Sequence, residues 1–276
     1  QVSDGALYSA SAYTLTLSVA AVNDAPVLTS SAPSSISVLE DSANSTAVSL
    51  GLSSLAYSTG GGTDESSQTL TYTLTAIPAF INVFKADGTT QVNPNTSLTL
   101  TELQGLKYKT IANANGTGNL SWSVQDSGGT ANGGSDTLLQ SLSISVSAVN
   151  DAPVLTSSAP SSISVLEDSA NSTAVSLGLS SLAYSTGGGT DESSQTLTYT
   201  LTAIPAFINV FKADGTTQVN PNTSLTLTEL QGLKYKTIAN ANGTGNLSWS
   251  VQDSGGTDNG GVDTLSQSLS ITVTAV

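Results

Sequence analysis

The sequence predicts an all-β protein built as two Greek-key β-sandwiches in tandem, joined end to end by a short linker. Three observations carry this reading. A unit of 127 residues occurs twice in a chain of 276. Within each unit, apolar residues alternate with Ser and Thr at period two over short segments bounded by turn residues. No segment keeps a 3.6-residue apolar period over ten residues, so helices are not expected to contribute a layer.

The repeat begins at Asn23 with Asn-Asp-Ala-Pro-Val-Leu-Thr and begins again at Asn150. Residues 23–149 and 150–276 share 122 of 127 positions. They differ at Ala131/Asp258, Ser135/Val262, Leu139/Ser266, Ser145/Thr272 and Ser147/Thr274. Residues 1–22 resemble the end of a third unit: residues 11–22 line up with 138–149, and Val2-Ser3-Asp4 with Val124-Gln125-Asp126. The expected domains are therefore a C-terminal remnant (1–22) and two sandwiches (23–149 and 150–276), cut from a longer array. A period of 127 is too long for one turn of a solenoid and suits one sandwich per repeat.

The elements of the first unit follow in order. Ile36–Leu39 and Ala47–Leu50 read as short strands, and Leu70–Leu74 alternates apolar residues with Thr. Phe80–Phe84 and Thr89–Val92 flank Asp87-Gly88, a hairpin with turn chemistry at its tip. Leu98–Leu100 leads into one helical turn over Thr101–Gly105, and Leu106–Tyr108 is a short strand. Leu120–Val124 carries Trp122, read as a core anchor, and Leu142–Val146 closes the unit. Seven or eight strands with Gly, Asn, Asp and Ser between them give the Greek-key pattern.

Composition excludes several function classes. Cys and His are absent, which removes thiol catalysis, disulfides, zinc fingers and Ser–His–Asp triads. Twenty acidic residues face six lysines, for a net charge of −14, so a phosphate-binding nucleic-acid surface is not expected. No apolar run approaches the roughly 18 residues of a membrane span. With 38% hydrophobic residues regularly placed, the chain reads as folded.

The acids are not scattered. The first unit holds Asp24, Glu40, Asp41, Asp64, Glu65, Asp87, Glu102, Asp126 and Asp136, most of them at strand ends or in loops. A sandwich gathers its loops at two poles, and three lysines per unit cannot neutralise nine carboxylates. Hard cations such as Ca2+ take six to eight oxygen ligands from such groups. Asp87 and Asp214 are read as hairpin-turn residues.

Ala148-Val149-Asn150-Asp151-Ala152-Pro153-Val154, at the join of the units, resembles the linker of cadherin repeats and of the cadherin-like repeats in large secreted bacterial RTX-type adhesins. The similarity continues through Val38-Leu39-Glu40-Asp41-Ser42, Thr63-Asp64-Glu65, Leu100-Thr101-Glu102-Leu103 and Val124-Gln125-Asp126-Ser127-Gly128-Gly129, and covers both units. It implies cadherin-like, Ig-like sandwiches that hold one or two Ca2+ at each junction. At the join, Glu40, Asp41 and Glu102 would come from one pole, Asn150 and Asp151 from the linker, and Asp191, Glu192 and Asp253 from the other pole. The earlier junction would use Asn23, Asp24, Asp64, Glu65 and Asp126, with Asp4 from the preceding unit. The linker lacks the longer acidic run of animal cadherins, and the middle loop is Asp-Glu where they carry Asp-x-Asp.

The resemblance implies calcium-stabilised spacer repeats of a bacterial cell-surface adhesin, extracellular and exported by type I secretion. The expected partners are neighbouring repeats of the same chain, with no nucleic acid and no membrane insertion, and the fragment is expected to be monomeric. An alternative is a binding module for a sugar, a surface or a second copy, repeated for avidity. Its sign would be an exposed aromatic patch, and with 5% aromatics, mostly placed in strands, none is legible. An enzyme, such as a paired-carboxylate glycosidase, is not expected, because twin active sites with few aromatics to line a cleft are a poor fit.

Overall fold

The computed structural model describes residues 3–8, 14–31, 35–158 and 162–276. Val2 and residues 11–13 of the third-unit match lie outside them. Contacts divide the chain into two compact units. One is Gln1–Ile36, Ser45–Lys109 and Thr117–Ile144; the other is Ser37–Asn44, Thr110–Gly116 and Ser145–Val276.

The first repeat carries β1 (Val27–Leu28), β2 (Ser35–Leu39), β3 (Val48–Ser49), β4 (Tyr57–Ser58), β5 (Leu70–Ala76), β6 (Ile81–Phe84), β7 (Gln91–Val92) and β8 (Thr96–Leu98). It continues with helix α1 (Leu100–Gln104), β9 (Lys107–Thr110), β10 (Gly116–Asp126) and β11 (Thr137–Ser147). The strands form a five-stranded sheet ordered β2-β11-β10-β5-β8, a four-stranded sheet ordered β3-β9-β6-β7, and the small pair β1-β4.

The second repeat runs β12 (Val154–Leu155), β13 (Ser162–Leu166), β14 (Val175–Ser176), β15 (Tyr184–Ser185), β16 (Thr198–Ala203), β17 (Ile208–Phe211), β18 (Gln218–Val219) and β19 (Thr223–Leu225). Helix α2 (Leu227–Gln231), β20 (Lys234–Thr237), β21 (Gly243–Gln252) and β22 (Thr264–Thr274) complete it. Its sheets are β13-β22-β21-β16-β19, β14-β20-β17-β18 and β12-β15. Strand β13 runs parallel to β22, whereas β21 and β22 are antiparallel over ten residue pairs.

The alternation read from the sequence is the alternation of burial. Strand β21 buries Leu247, Trp249 and Val251, and β22 buries Leu269, Ile271 and Val273. Strands β17 and β20 add Val210 and Tyr235 from the other sheet to the same core. A core fed from two sheets defines the sandwich. Trp122 and Trp249 are 1% exposed, in keeping with their reading as anchors. Each indole N–H donates to a tyrosine hydroxyl 2.9 Å away, Tyr57 and Tyr184 respectively. The expected helical turn is α1, closed by a capping box in which Thr99 and Glu102 exchange hydrogen bonds. The expected hairpin is β6–β7, with Asp87 accepting from the Thr89 and Thr90 N–H groups at 2.8 Å.

One expectation needs revision. Among the described residues each repeat has eleven strands, more than the seven or eight expected, because β1, β3, β4 and β7 are two residues long and show no alternation. Residues 14–22, the described part of the match to 138–149, form no strand. Leu15, Leu17 and Val19 are 91%, 84% and 86% exposed there, whereas their counterparts Leu142, Ile144 and Val146 are buried between sheet neighbours.

Candidate metal centre

The loops before β16 and after β21 meet the segment that enters the second repeat. Asn150 is the bracket. Its amide nitrogen donates to Asp253 at 2.9 Å and to the Val262 carbonyl at 2.8 Å, and its oxygen accepts from Gln195 at 2.7 Å. The approach is so close that a Cβ on Gly255 would lie 1.8 Å from the Asn150 oxygen, which requires glycine there. Gly187, at φ +99°, likewise lets the loop reach the Ala152 carbonyl, 2.3 Å from where a Cβ would sit. Asp151 donates its backbone N–H to Glu192 Oε1 at 2.5 Å.

This bracket draws carboxylates together. Glu192 is 1% exposed and Asp253 5% exposed. One oxygen from each of Asp151, Glu192 and Asp253 is buried with no hydrogen-bond partner. Burial raises the pKa of Asp151, and the charges of Asp41 and Asp191 raise it further. Burial also raises that of Glu192, with Asp151, Asp191 and Asp253 adding to it against the opposing hydrogen bond from the Asp151 N–H. Asp41 belongs to the same compact unit as these groups. It sits at φ +61°, and its Oδ1 accepts from the Asn113 N–H at 3.3 Å and the Asn44 amide at 3.1 Å. Beside the acids lies a cavity of about 270 Å3 lined by Asn150, Asp191, Glu192, Gln195 and Asp258 among others.

The first repeat builds the same pole. Asn23 donates to Asp126 at 2.9 Å and to the Ser135 carbonyl at 2.7 Å, and accepts from Gln68 at 2.7 Å. The Asp24 N–H donates to Glu65 at 2.5 Å. Glu65 and Asp126 are 2% and 5% exposed, and each keeps one buried oxygen without a partner. Asp24 and Asp64 are exposed at this pole.

Five proposed ligands have other employment. Glu102 accepts from Lys85 at 2.8 Å through one oxygen and from the Thr99 N–H at 2.9 Å through the other. The Lys85 hydrogen bond, with those of Thr99, holds its pKa down to about 2. It is therefore a cap and an ion-pair partner, because a capping box needs an acid three residues into the helix. Asn23 and Asn150 are brackets between loops, with both ends of their amides engaged. Glu40 accepts from the Val149 N–H at 2.7 Å and from Asn115 at 3.2 Å, which ties the exit of β11 to the end of β2. Asp4 is likewise engaged locally, accepting from the N–H groups of Ala6 and Leu7. Sequence reading missed Gln68, Gln195, Gly128, Gly255 and Asp258. Only Asp258 carried a signal, being the one acid gained among the five differences between the repeats.

The remaining set is Asp41, Asp151, Asp191, Glu192 and Asp253, with Asp24, Asp64, Glu65 and Asp126 in the first repeat. Among the described residues, no three acidic side chains are already gathered into a metal-holding group. The donor chemistry fits a hard cation all the same. At these poles the orphaned atoms are carboxylate oxygens of Glu65, Asp126, Asp151, Glu192 and Asp253 and amide oxygens of Gln68 and Gln195, and among the described residues the lysine ion pairs are those with Glu102 and Glu229, not with these acids. Ca2+ fills the rest of its shell with backbone carbonyls and water.

Solved cadherin ectodomains are among the structures the chain resembles. Mouse cadherin-23 EC22–24 matches at 17% identity and a TM-score of 0.36, over 92% of this chain and 65% of that one. Mouse protocadherin-24 EC1–3 matches at 14% and 0.36, over 90% and 70%. Human mucin-like protocadherin EC1–2 matches at 15% and 0.31, over 91% and 98%. The chain thus spans about two thirds of the cadherin-23 fragment. No protein-family model and no curated protein matches it. At this level of likeness, the functional reading stands on the chain's own geometry.

Proposed function

We propose that the chain is a pair of calcium-stabilised spacer repeats from a long adhesin on a bacterial surface, with Ca2+ bound at the pole where each repeat begins. One observation supports this above the rest: buried carboxylate oxygens without partners, at the same place in both repeats. A buried, unpaired carboxylate is costly, and a fold retains several together where a counter-charge or a proton neutralises them. Calcium supplies two positive charges and coordination positions for oxygen. Asp151, Glu192 and Asp253 offer the buried oxygens, Asp41 and Asp191 the nearby charges, and Asn150 holds the loops in place. Near-identical tandem units suit a spacer, whose length grows by repetition. Among the described residues, no helix is long and apolar enough to cross a membrane.

The finer part of the proposal is that the cation stiffens the junction. The linker between Val149 and Pro153 is only Asn150, Asp151 and Ala152. Pro153 restricts its own φ and the residue before it. A cation on Asp151 joins the linker to the repeat it enters. The test is small-angle scattering of the wild type and Asp151→Ala, each in calcium and in EDTA. The wild type is expected to hold a narrower distance distribution in calcium, and Asp151→Ala is expected to lose that narrowing while its circular dichroism stays folded. Equal distributions for both proteins in both buffers would refute the stiffening. An unchanged wild-type melting temperature between EDTA and millimolar calcium would refute calcium binding itself.

A further inference from the structure

The six lysines of this acidic chain share one place in the fold. Lys85 and Lys212 follow β6 and β17 and are paired with Glu102 and Glu229 at 2.8 and 2.7 Å. The other four lie on β9 (Lys107, Lys109) and β20 (Lys234, Lys236). Among the described residues none of those four has a carboxylate within ion-pair distance, although the chain carries 20 acids. The register explains what surrounds them. Across the four-stranded sheet of the second repeat, Lys234 pairs with Ser176 and Phe211, Lys236 pairs with Asn209, and Phe211 pairs with Gln218. The alternate residues Val210, Val219 and Tyr235 point into the core. Lys234, Lys236, Phe211, Asn209 and Gln218 therefore share the outer face. The Lys236 ammonium lies 5.1 Å over the half-buried Phe211 ring, and Gln218 donates to Asn209 at 3.3 Å. The first repeat repeats the arrangement, with Lys109 5.2 Å over Phe84 and Gln91 donating to Asn82 at 3.1 Å. This is the aromatic-bearing surface that composition alone did not reveal.

We propose that this sheet face, present once in each repeat, binds an anionic polysaccharide carrying uronate carboxylates. Charge complementarity selects the sign: these are the unpaired cations of a chain with net charge −14. The neighbouring chemistry selects the class. The centres of protein–protein interfaces are apolar and depleted of lysine, whereas this face centres on two lysines and two amides. The Asn–Gln amide pairs offer donors and acceptors to sugar hydroxyls, the lysines meet carboxylates, and the partly exposed ring meets a sugar's C–H surface. A second copy docking by the same face would set lysine against lysine. Two faces on one chain let a long polymer bind with avidity.

The whole chain is titrated in EDTA at low ionic strength, so that calcium bridging between carboxylates plays no part. The probes are polygalacturonate, dextran and poly-L-glutamate, read by affinity electrophoresis and calorimetry. Polygalacturonate is expected to bind, and the Lys107, Lys109, Lys234 and Lys236→Gln variant to bind at least about tenfold more weakly. The same four positions changed to Arg should keep binding, which separates charge from fold. Lys85→Gln with Lys212→Gln should leave binding unchanged. Failure of polygalacturonate to bind would overturn the proposal. So would equal retention of dextran, equal retention of poly-L-glutamate, which would mark a site for acidic protein, or an equal loss in the Lys85 and Lys212 variant.

Discussion

Replacing Glu65 and Glu192 together by Gln tests the buried pole most directly. Both are almost fully buried, both accept an aspartate N–H through one oxygen, and both leave the other oxygen unpartnered. Glutamine keeps the acceptor, removes the charge and adds an amide that can donate to the orphaned oxygen of Asp126 or Asp253. An unsatisfied buried polar group costs about 1–3 kcal/mol. Without a cation, the double variant should therefore be more stable than the wild type by about that much per repeat. For a domain of this size, 1 kcal/mol moves the melting temperature by about 4 °C, giving a rise of roughly 4–12 °C in EDTA. Calcium should reverse the order. Extracellular modules bind it at about 10⁻⁴–10⁻³ M. At 10 mM the wild type then gains about 1.4–2.7 kcal/mol, whereas the variant gains little. Changing both repeats at once keeps their transitions together. The assay is thermal melting by circular dichroism in EDTA and in 10 mM calcium. A variant less stable than the wild type in EDTA, with no calcium response in either protein, would refute the reasoning that these carboxylates wait for a counter-charge.

The pH dependence should follow the same groups. Asp151 and Glu192 have raised folded-state pKa values, so they stabilise the fold below their unfolded values and that contribution is lost as pH rises through the folded values. Glu102 and Glu229, held down to about 2 by their lysines, work in the opposite sense and lose their contribution below about pH 4.5. Melting in EDTA should therefore improve as pH falls from neutral toward the range where Asp151 and Glu192 take up protons and worsen below about 4, and calcium should abolish the first trend. Gly255→Ala should cost about 2–4 kcal/mol in urea unfolding by displacing the three hydrogen bonds of Asn150. Gly256→Ala, at φ +84° in open space, should cost only about 1–2 kcal/mol. Trp249→Ala should cost about 3–5 kcal/mol, and Trp249→Phe less, because a phenyl ring keeps part of the buried volume while losing the bond to Tyr184. Asp258→Ala should shrink the calcium-induced rise in melting temperature of the second repeat, and Ala131→Asp should enlarge that of the first, as scanning calorimetry would record.

The fold was legible where burial imposes period two. Leu247, Trp249 and Val251 announce their strand because each faces the core and each intervening Ser does not. Two-residue strands such as β4 carry no such signal, and Tyr57 is placed by its hydroxyl meeting an indole 65 residues away. At the candidate site, the types of residue were legible but their assignments were not. Glu102 and Glu192 are both loop-flanking acids in sequence. A lysine and a helix N-terminus neutralise the first, whereas the fold buries the second beside other acids. Gln195 and Gly255 were invisible because their roles depend on Asn150, which the chain brings to them from 45 and 105 residues away.

The parallel pairing of β13 with β22 has a mechanical consequence. Near its start, the second repeat lays a strand beside the one it leaves by, both pointing the same way, with five residues of β13 in register against β22. A pull on the two ends of the repeat therefore draws these strands past each other along their length, in shear. Evenly spaced hydrogen bonds loaded in shear share the force and must yield together, unlike an antiparallel hairpin opened from one end. Forced unfolding is governed by the rate of that single event. A tether that must resist flow would take its strength from this strand pair, and among the described residues the two-residue β12 would peel away before it.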